Sequence, residues 1–522
     1  MAIQWLSLIG AIWLQCINGT NSNFPAYSSQ LKHLLSISQL QLNNLALASD
    51  AGKLLGWFSG IAATYLPLWL VLMIGATLGL IGYGIQYLFI TNQISSLSYW
   101  HVFLLTCLAG NSICWINTVC YIITIQNFPF DRQIAVGLST SYQGLSAKIF
   151  TSLVDVVSRT SPSEKAKTYL LLNALLPLLV CIAASPVAKH VKIGKSKNLA
   201  SGFRAMFVIT TLTGIYAVLS SFSSITSSFP PITMAILMGL FLIIPSGVPL
   251  GEKIREKFQQ KCWLRKEMRV CHVASSENNS HDNDLMRSME SGEIKEIENV
   301  NKVYEGRIRE EVGVKLMLQR LDFWLYYFVY LFGATLGFVY LNNLGQIVES
   351  RGSSRTSSLV SLCSSFTFFG RLIPSLLDYY LTKKNYIVSK PASIALTMIP
   401  LSGAFFLLLM GNNISLYVST AIIGTCTGAI TSISVPTTTE LFGAKNFGVN
   451  HNILVTNIPV GSFVFGDLAA LLYKKQGNSA DGSCMGTNCY QITFIIWGSL
   501  CLLGTLLAVI LHARTKKFYS QN

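Results

Sequence analysis

Apolar runs long enough to cross a lipid bilayer follow one another along almost the whole chain, separated by short polar breaks. About 17 to 25 mostly apolar residues suffice for one transmembrane helix. Lipid offers the backbone no hydrogen-bond partner, so each run is predicted to be a helix. The pattern predicts about fourteen spans, at residues 3–24, 44–65, 67–90, 100–125, 133–155, 168–187, 204–223, 231–250, 322–342, 357–378, 391–410, 414–436, 450–472 and 491–512.

Composition supports an integral membrane protein and argues against a soluble enzyme. Apolar residues make up 51% of the chain and charged residues only 12%, about half the share in soluble domains. The net charge of +15 does not indicate nucleic acid, because no basic residues interleave with aromatic ones in a soluble domain. There is no phosphate loop or His-Glu-x-x-His motif, and the seven histidines are scattered. We therefore expect no enzyme activity, cofactor or metal.

Lysine and arginine predict the orientation. If the N-terminus is cytosolic, these residues concentrate in the even-numbered connections and in the C-terminal tail. Cytosolic loops of membrane proteins carry an excess of such residues. The bias predicts that both termini lie in the cytosol, with the protein in the plasma membrane or the vacuolar membrane.

One long polar stretch divides the chain. Residues 251–320 have the low hydrophobicity of a partly disordered linker. A displacement of 318 residues places GKLLG (Gly52–Gly56) on GRLIP (Gly370–Pro374), which suggests an ancient duplication. The predicted order is a six-helix repeat at 1–187, an inserted hairpin at 204–250, the cytosolic linker, and a second six-helix repeat at 321–522. Such parallel repeats are typical of major facilitator transporters, which bind solute between two rocking halves.

Several long motifs carry a family resemblance. They are YSSQLKHLLSISQLQLNNLALASDAGKLLGWFSG, LPLWLVLMIGATLGLIGYGIQYLF, AGNSICWINTVCYI, NFPFDRQIAVGLSTSYQGLSAKI and YLLLNALLP. In this order they resemble the plant nodulin-like proteins, which include the nuclear fusion defective 4-like group, and the similarity runs to about residue 250. The chain from about Lys315 resembles that family's second, major-facilitator half. The resemblance implies a plant multipass protein of the major facilitator superfamily.

These features predict a transporter that moves a small solute by alternating access, with no substrate identified. One alternative is a facilitator of small organic anions such as monocarboxylates or oxalate, because Arg371 and Lys148 are cations that a carboxylate needs. Another is a membrane sensor or scaffold that keeps the transporter fold and uses the linker for interactions. Partners outside the bilayer and the solute are not predicted, and neither is the oligomeric state.

Charged side chains within spans are the first candidates for the transport pathway, because they are costly in lipid. Lys148 in span 5 and Asp467 in span 13 lie in near-equivalent places of the two repeats. They are predicted to line the central cavity or to pair between the halves, and the alternative is that both reach the outer interface. Arg371 in span 10 either binds an anion or anchors the span at the inner interface.

A degraded form of the facilitator loop motif predicts a cytosolic gate. In this motif a glycine, an aspartate and basic residues lock the gate through charge pairs. The candidates are Lys53, Gly370, Asp378, Lys383 and Lys384. In the first half Lys53 takes the place of Arg371, but Gly60 occupies the position of Asp378 and no basic pair follows Tyr65. The predicted gate is therefore one-sided.

Polar residues in spans 1 and 4 are further pathway candidates, namely Asn18, Asn111 and Asn117. They either bind solute or form hydrogen bonds between helices, and helix packing is the favoured interpretation. Span 4 has no arginine or acidic residue, so the pattern does not favour proton antiport. Of twelve cysteines, only Cys484 and Cys489 are candidates for a disulfide, and two free thiols are the alternative.

Overall fold

The computed structural model describes residues 2–158, 162–191, 199–221, 230–255, 257–258, 309–353, 355–382, 384, 386, 388–477 and 484–520. The regular structure in these ranges is entirely helical. Most of the predicted linker, 251–320, lies outside the described residues, so its predicted disorder is not addressed.

Twelve described helices are long and apolar enough to cross a membrane. We number the membrane helices by span. The twelve are α1 (Ala2–Ala26), α3 (Leu68–Ile90), α4 (Tyr99–Asn127), α6 (Pro162–Ala184), α7 (Ala200–Leu219), α8 (Pro231–Arg255), α9 (Leu321–Ser350), α10 (Thr356–Thr382), α11 (Lys390–Leu407), α12 (Asn413–Phe442), α13 (Phe447–Gln476) and α14 (Asn488–Ser520). Two more polar helical segments, α2 (39–65) and α5 (132–157), complete the fourteen predicted spans.

Both of these extra segments are broken. Segment α2 consists of helices Gln39–Ala51 and Trp57–Tyr65, joined by the 3-10 turn Gly52–Leu55. Segment α5 consists of Arg132–Gly144 and Ser146–Val157. The first part of α5 is polar but buried among other helices, where its hydroxyl and amide groups find protein partners. Low hydropathy in the first part of α5 therefore marks contact with protein instead of lipid.

Several helices continue beyond the predicted apolar runs. Helix α9 ends at Ser350, α12 at Phe442 and α14 at Ser520, so the predicted ends at 342, 436 and 512 are too early. Hydropathy falls where a helix leaves the hydrocarbon layer, but the backbone hydrogen bonds continue into the polar region. Fourteen crossings place Ala2 and Ser520 on one face, which we call the terminal face.

Glycine contacts repeat between the two halves of the chain. A Cβ atom at Gly52 would collide with the carbonyl oxygen of Cys107 on α4. A Cβ atom at Gly370 would collide in the same way with the carbonyl oxygen of Thr425 on α12. Both members of the second pair lie 318 residues beyond those of the first. Close approach of α2 to α4 is therefore repeated as close approach of α10 to α12.

A second set of contacts follows the same displacement. Gly110 on α4 lies against the backbone of Ser49 on α2, and Gly428 on α12 lies against the backbone of Thr367 on α10. Small residues allow both backbones to approach in each repeat. These four contacts show that the two halves share the same close helix packing, as the duplication predicts. The shared packing does not depend on similar side chains.

Helices α7 and α8 lie outside the six-helix repeats. Gly214 of α7 lies against the rings of Phe368 and Phe369 on α10. Trp13 of α1 donates from Nε1 to the carbonyl oxygen of Leu242 on α8, at 3.1 Å. In the most apolar 18-residue stretch of α8 only 11% of the residues are buried, so most of the surface of this helix is available to lipid. The hairpin thus covers the side of the bundle formed by α1, α5 and α10.

The segment before α9 is attached to the second repeat. The amide of Arg309 donates to the carbonyl oxygen of Glu440, and the amide of Val312 donates to that of Phe442. The Glu311 carboxylate accepts from the amides of Ala444 and Lys445, at 2.9 and 3.0 Å. These contacts fix residues 309–312 beside the loop between α12 and α13.

Candidate functional site

A cavity of about 100 Å³ lies between the two repeats. Its walls come from α1, α2, α4 and α5 of the first repeat and from α9, α10, α12 and α13 of the second. Each repeat therefore contributes its first, second, fourth and fifth spans. The cavity contains two cationic side chains, Lys53 and Arg371, and no described Asp or Glu lines it.

Arg371 presents a buried guanidinium group to this cavity. The residue is 6% exposed and lies in the middle of α10. Its Nη1 atom donates to Oε1 of Gln143 at 2.5 Å and to the carbonyl oxygen of Thr140 at 3.3 Å. The buried Nε atom has no hydrogen-bond partner among the described residues, and none of their carboxylates forms a salt bridge with Arg371. The guanidinium charge is therefore uncompensated.

Lys53 is the second cation of the cavity, and it has an ionic partner. Its Nζ atom lies 2.5 Å from Oδ1 of Asp50, one helical turn earlier in the chain. It also lies 5.8 Å from the ring centre of Phe338, within cation–π range. Asp50 is 1% exposed, and the carboxylate lies behind the lysine, because Lys53 but not Asp50 lines the cavity.

The Asp50 carboxylate also connects the two repeats. Its Oδ2 atom accepts from Nδ2 of Asn342 on α9 at 2.8 Å and from Oγ of Ser462 on α13 at 2.5 Å. Ser462 begins the π-helical turn Ser462–Gly466, and such turns are frequent at functional sites. Towards the same face, Ser29 donates to Oε1 of Glu349 at 2.5 Å. The line of contact between the two repeats is called the seam. These contacts close the seam on the face opposite the termini.

Other contacts close the seam on the terminal side. Asn452 of α13 donates from Nδ2 to Oγ1 of Thr118 on α4 at 2.8 Å. Nearby, Gly60 of α2 lies so close to Gly448 of α13 that a Cβ atom would meet the partner's carbonyl group. The cavity therefore has contacts between the repeats on both of its sides.

Aromatic groups form part of the cavity wall. Tyr121, Tyr330 and His451 all line it. The His451 ring stacks on Phe447 with ring centres 5.1 Å apart and meets Tyr121 edge-on at 5.5 Å. These groups offer apolar surface together with hydroxyl and imidazole hydrogen-bonding atoms. A small polar solute can therefore be both enclosed and oriented here.

The structure does not bring the predicted Lys148 and Asp467 together. Lys148 is 7% exposed, and its Nζ donates to the carbonyl oxygen of Ser220 at 2.7 Å. Asp467 lines a small separate cavity with Asn342 and Ser462. Neither side chain lines the central cavity, and no ion pair between them occurs among the described residues. Ser220 follows the C-terminal end of α7, so the contact of Lys148 lies at a helix end.

Of the three asparagine candidates, only Asn117 lines the cavity. Its buried Oδ1 atom has no partner among the described residues. Asn18 donates to the carbonyl oxygen of Ile113 at 3.2 Å, and Asn111 donates to that of Gly52 at 2.9 Å. The latter two join α1 and α2 to α4, as the helix-packing interpretation states.

The gate candidates are dispersed. Lys53 belongs to the cavity, and Gly370 provides the close contact with α12. Asp378 pairs with Lys390, at 2.6 Å between Oδ1 and Nζ, instead of with the predicted basic pair. Lys384 is exposed, and Lys383 lies outside the described residues. The Sγ atoms of Cys484 and Cys489 are bonded, in the connection between α13 and α14.

Sequence reasoning missed Asp50, the acidic residue of this site. The signal was present, because Asp50 and Lys53 are separated by one helical turn inside a predicted span. It also missed Gln143, Tyr121, Tyr330 and His451, which have no distinguishing pattern in the sequence. Their roles depend on which helices the fold brings to the cavity.

The fold and the cavity define a multi-pass membrane protein with the architecture of major facilitator transporters. A proton-dependent oligopeptide transporter structure matches with a TM-score of 0.50, 11% identity and coverage of 99% of this chain and 100% of that one. The nucleoside transporter NupG matches with a TM-score of 0.51, 11% identity and coverage of 98% and 99%. At this identity the two structures establish the fold alone.

The chain belongs to the nodulin-like, NUCLEAR FUSION DEFECTIVE 4 family, as its motifs predicted. The Nodulin-like model matches residues 4–250, and the model for the NFD4 C-terminal domain matches residues 305–521. Protein NUCLEAR FUSION DEFECTIVE 4 of Arabidopsis thaliana is 38% identical over 536 residues, covering 99% of this chain and 89% of the relative. The probable transporter MCH1 of Yarrowia lipolytica (strain CLIB 122 / E 150) is 27% identical over 193 residues, 34% of this chain and 39% of the relative.

Proposed function

We propose that this transporter moves a small organic anion, and that Arg371 binds the negative charge. The observation that carries the proposal is the Arg371 guanidinium, which has no salt-bridge partner among the described residues and lines a cavity without a described acidic side chain. A buried charge without a counter-ion is costly, and an anionic solute removes that cost. The unused Nε donor supplies a charge-assisted hydrogen bond.

The lining of the cavity supports a small polar solute that carries negative charge. Lys53 offers a second cationic contact, and Asn117 and the tyrosine hydroxyls offer hydrogen bonds.

Alternating access follows from the two sets of contacts around the cavity. We assign the moving halves to residues 1–187 and 321–522, with the hairpin at 204–250 attached at the side and the linker at 251–320 between them. Release on each side requires the contacts there to break while those on the other side hold. The excess of cationic residues in the connections on the terminal face supports cytosolic termini, in a plasma or vacuolar membrane. No covalent step or cofactor is part of the proposal.

The test is uptake into liposomes that contain the purified protein. The panel pairs short labelled mono- and dicarboxylates with their neutral amides, which have nearly the same size. We expect saturable uptake of acids and little uptake of amides. Arg371→Gln should lower uptake about ten- to a hundred-fold, because charged hydrogen bonds contribute about 1.5–3 kcal/mol.

The matched control is Arg355→Gln, because Arg355 is exposed. This variant should transport acids like the wild type. Equal uptake of acids and amides, or full activity of Arg371→Gln, would overturn the proposal.

A further inference from the structure

Asp50 is the buried carboxylate of the central site, and transport of an anion by Arg371 does not by itself use it. Its two oxygen atoms have three partners, Lys53, Asn342 and Ser462. Of these only Lys53 is cationic, and Lys53 is also the partner that faces the cavity. The stability of charged Asp50 therefore depends on a cation that an anionic solute can reach.

The neighbouring helices bring few other charges near Asp50. From α4 the titratable group that faces the pair is the Cys114 thiol, which interacts electrostatically with both Asp50 and Lys53. On α13, Asp467 lines a small cavity with Asn342 and Ser462, the two hydrogen-bond donors to Asp50. From α9 the facing group is the amide of Asn342, which donates to Oδ2 of Asp50. Among the described residues, Lys53 is thus the one cation close enough to pair with Asp50.

An anion that bridges Arg371 and Lys53 competes directly with Asp50. Both cations line the same cavity, and the proposal requires the bound carboxylate to contact both. If Lys53 turns to the solute, Asp50 is left 1% exposed without a counter-ion. A carboxylate in that position takes up a proton more readily than it remains charged.

We propose that Asp50 is the proton-binding site of the transporter, so that the solute anion and one proton are carried together. The proposal rests on the proposed function as an anion transporter. In the loading step the Lys53–Asp50 ion pair breaks and Lys53 pairs with the anion. A hydronium ion from the aqueous phase gives its proton to an oxygen atom of Asp50, forming an O–H bond, and leaves as water. One negative and one positive charge enter, so the net charge of the site is unchanged. Release of anion and proton restores the pair.

Protonation of Asp50 also bears on closure of the seam. The Oδ2 atom of the charged carboxylate accepts from Asn342 and Ser462 of the second repeat. Hydrogen bonds to a charged acceptor are stronger than those to a neutral one. Loading with a proton therefore weakens two contacts that hold the face opposite the termini closed. The ion pair thus links solute binding to opening on that face.

The experiment uses the full-length protein in liposomes loaded with a pH-sensitive dye. The probe is the short carboxylate with the highest uptake by the wild type. We expect its entry to acidify the lumen and an inward proton gradient to raise its accumulation. Asp50→Asn imitates the protonated residue, so it should exchange internal for external anion but lose gradient-driven accumulation and acidification.

Two further variants keep the test decisive if Asp50→Asn folds poorly. Ser462→Ala removes one donor to the charged carboxylate, which makes protonation easier. Uptake should then persist to a pH higher by about one unit, since such a bond is worth roughly that much. A purely structural serine would change the rate without shifting the pH profile. The control Asp155→Asn alters a half-exposed carboxylate paired with Lys165 and should behave like the wild type.

The outcomes separate the two proposals. No uptake of any acid by folded wild-type protein contradicts anion transport itself. Two outcomes overturn the proton site but not anion transport. They are anion uptake that does not depend on the proton gradient, and gradient-driven accumulation by Asp50→Asn. The proton site is supported if the wild type acidifies the lumen while Asp50→Asn exchanges anions but shows no gradient-driven accumulation.

Discussion

Lys53 and Arg371 lie 318 residues apart, at equivalent positions of the two repeats, and both side chains line the central cavity. Their surroundings differ, because Phe368 occupies the position in the second repeat that Asp50 occupies in the first. Lys53 therefore has a carboxylate partner, whereas Arg371 is held by Gln143 and the carbonyl oxygen of Thr140. The duplicated cations have thus become one neutralised and one uncompensated charge.

Removing only Lys53 from the Asp50–Lys53 ion pair should destabilise the protein more than removing both charges. Lys53→Gln leaves a buried carboxylate without a cation, a loss of about 3–5 kcal/mol when the carboxylate stays charged. The double variant Asp50→Asn with Lys53→Gln removes both charges and should be more stable than Lys53→Gln alone. Thermal unfolding in detergent measures the order. A double variant no more stable than Lys53→Gln alone would contradict the buried charge as the cause of the defect.

Equivalent glycines should be equally intolerant of a side chain. Gly52→Ala and Gly370→Ala each place a methyl group on a backbone carbonyl of the neighbouring helix, which cannot move aside as a flexible side chain can. We expect each to cost about 1–3 kcal/mol, the usual range for overpacking. Yield and thermal midpoint of the purified protein measure the loss. Gly403→Ala on α11 is the matched control, because no atom lies within 4 Å of its added Cβ.

Cross-linking should test opening on the face opposite the termini. Ser29 and Glu349 form a hydrogen bond of 2.5 Å between the repeats there, so a short, reducible bis-thiosulfonate reagent should cross-link Ser29→Cys with Glu349→Cys. Cross-linked at this position, the protein should lose uptake and regain it on reduction. Each single variant and the wild type, treated in parallel, control for reaction at the Cys484–Cys489 bond. Unchanged uptake by the fully cross-linked double variant would show that this contact need not open.

The native disulfide offers a test of orientation. Cys484 and Cys489 lie in the connection between α13 and α14, on the face opposite the termini. In cells that carry the protein in the plasma membrane, cytosolic termini predict that a membrane-impermeant thiol reagent labels the intact cells after mild reduction. The variant Cys484→Ser with Cys489→Ser should lose this labelling. Labelling that appears only after the membrane is permeabilised would place the termini on the other side.

Much of the fold was predictable because lipid imposes a simple rule on sequence. Helices such as α3 and α14 face lipid widely, and their apolar runs gave their positions. The repeat was also visible, since GKLLG and GRLIP retain the glycines that allow close helix contact. Helix ends such as Ser350 were missed because hydropathy reports the hydrocarbon layer and not the end of the hydrogen-bonded helix.

The site was predictable only in part. Arg371 and Asn117 were proposed for the pathway and do line the cavity, whereas Lys148 and Asp467 do not. A charged residue within a span is equally visible in the sequence whether it faces the cavity or a backbone carbonyl, as Lys148 does. The direction that each side chain faces depends on helix rotation and on the breaks in α2 and α5.

The sequence by itself determined that the protein is helical and polytopic, that its halves are duplicated, and which family it belongs to. Hydropathy, spacing and local motifs are properties of linear order, so the sequence contains them. Tertiary structure alone decided that Lys53 and Arg371 share one cavity and that Asp50 reaches Asn342 and Ser462 across the seam. These contacts join residues hundreds of positions apart, and they exist only once eight helices pack around a common space. The physical reason is that charge compensation acts over a few ångströms in space, at distances that linear order does not encode.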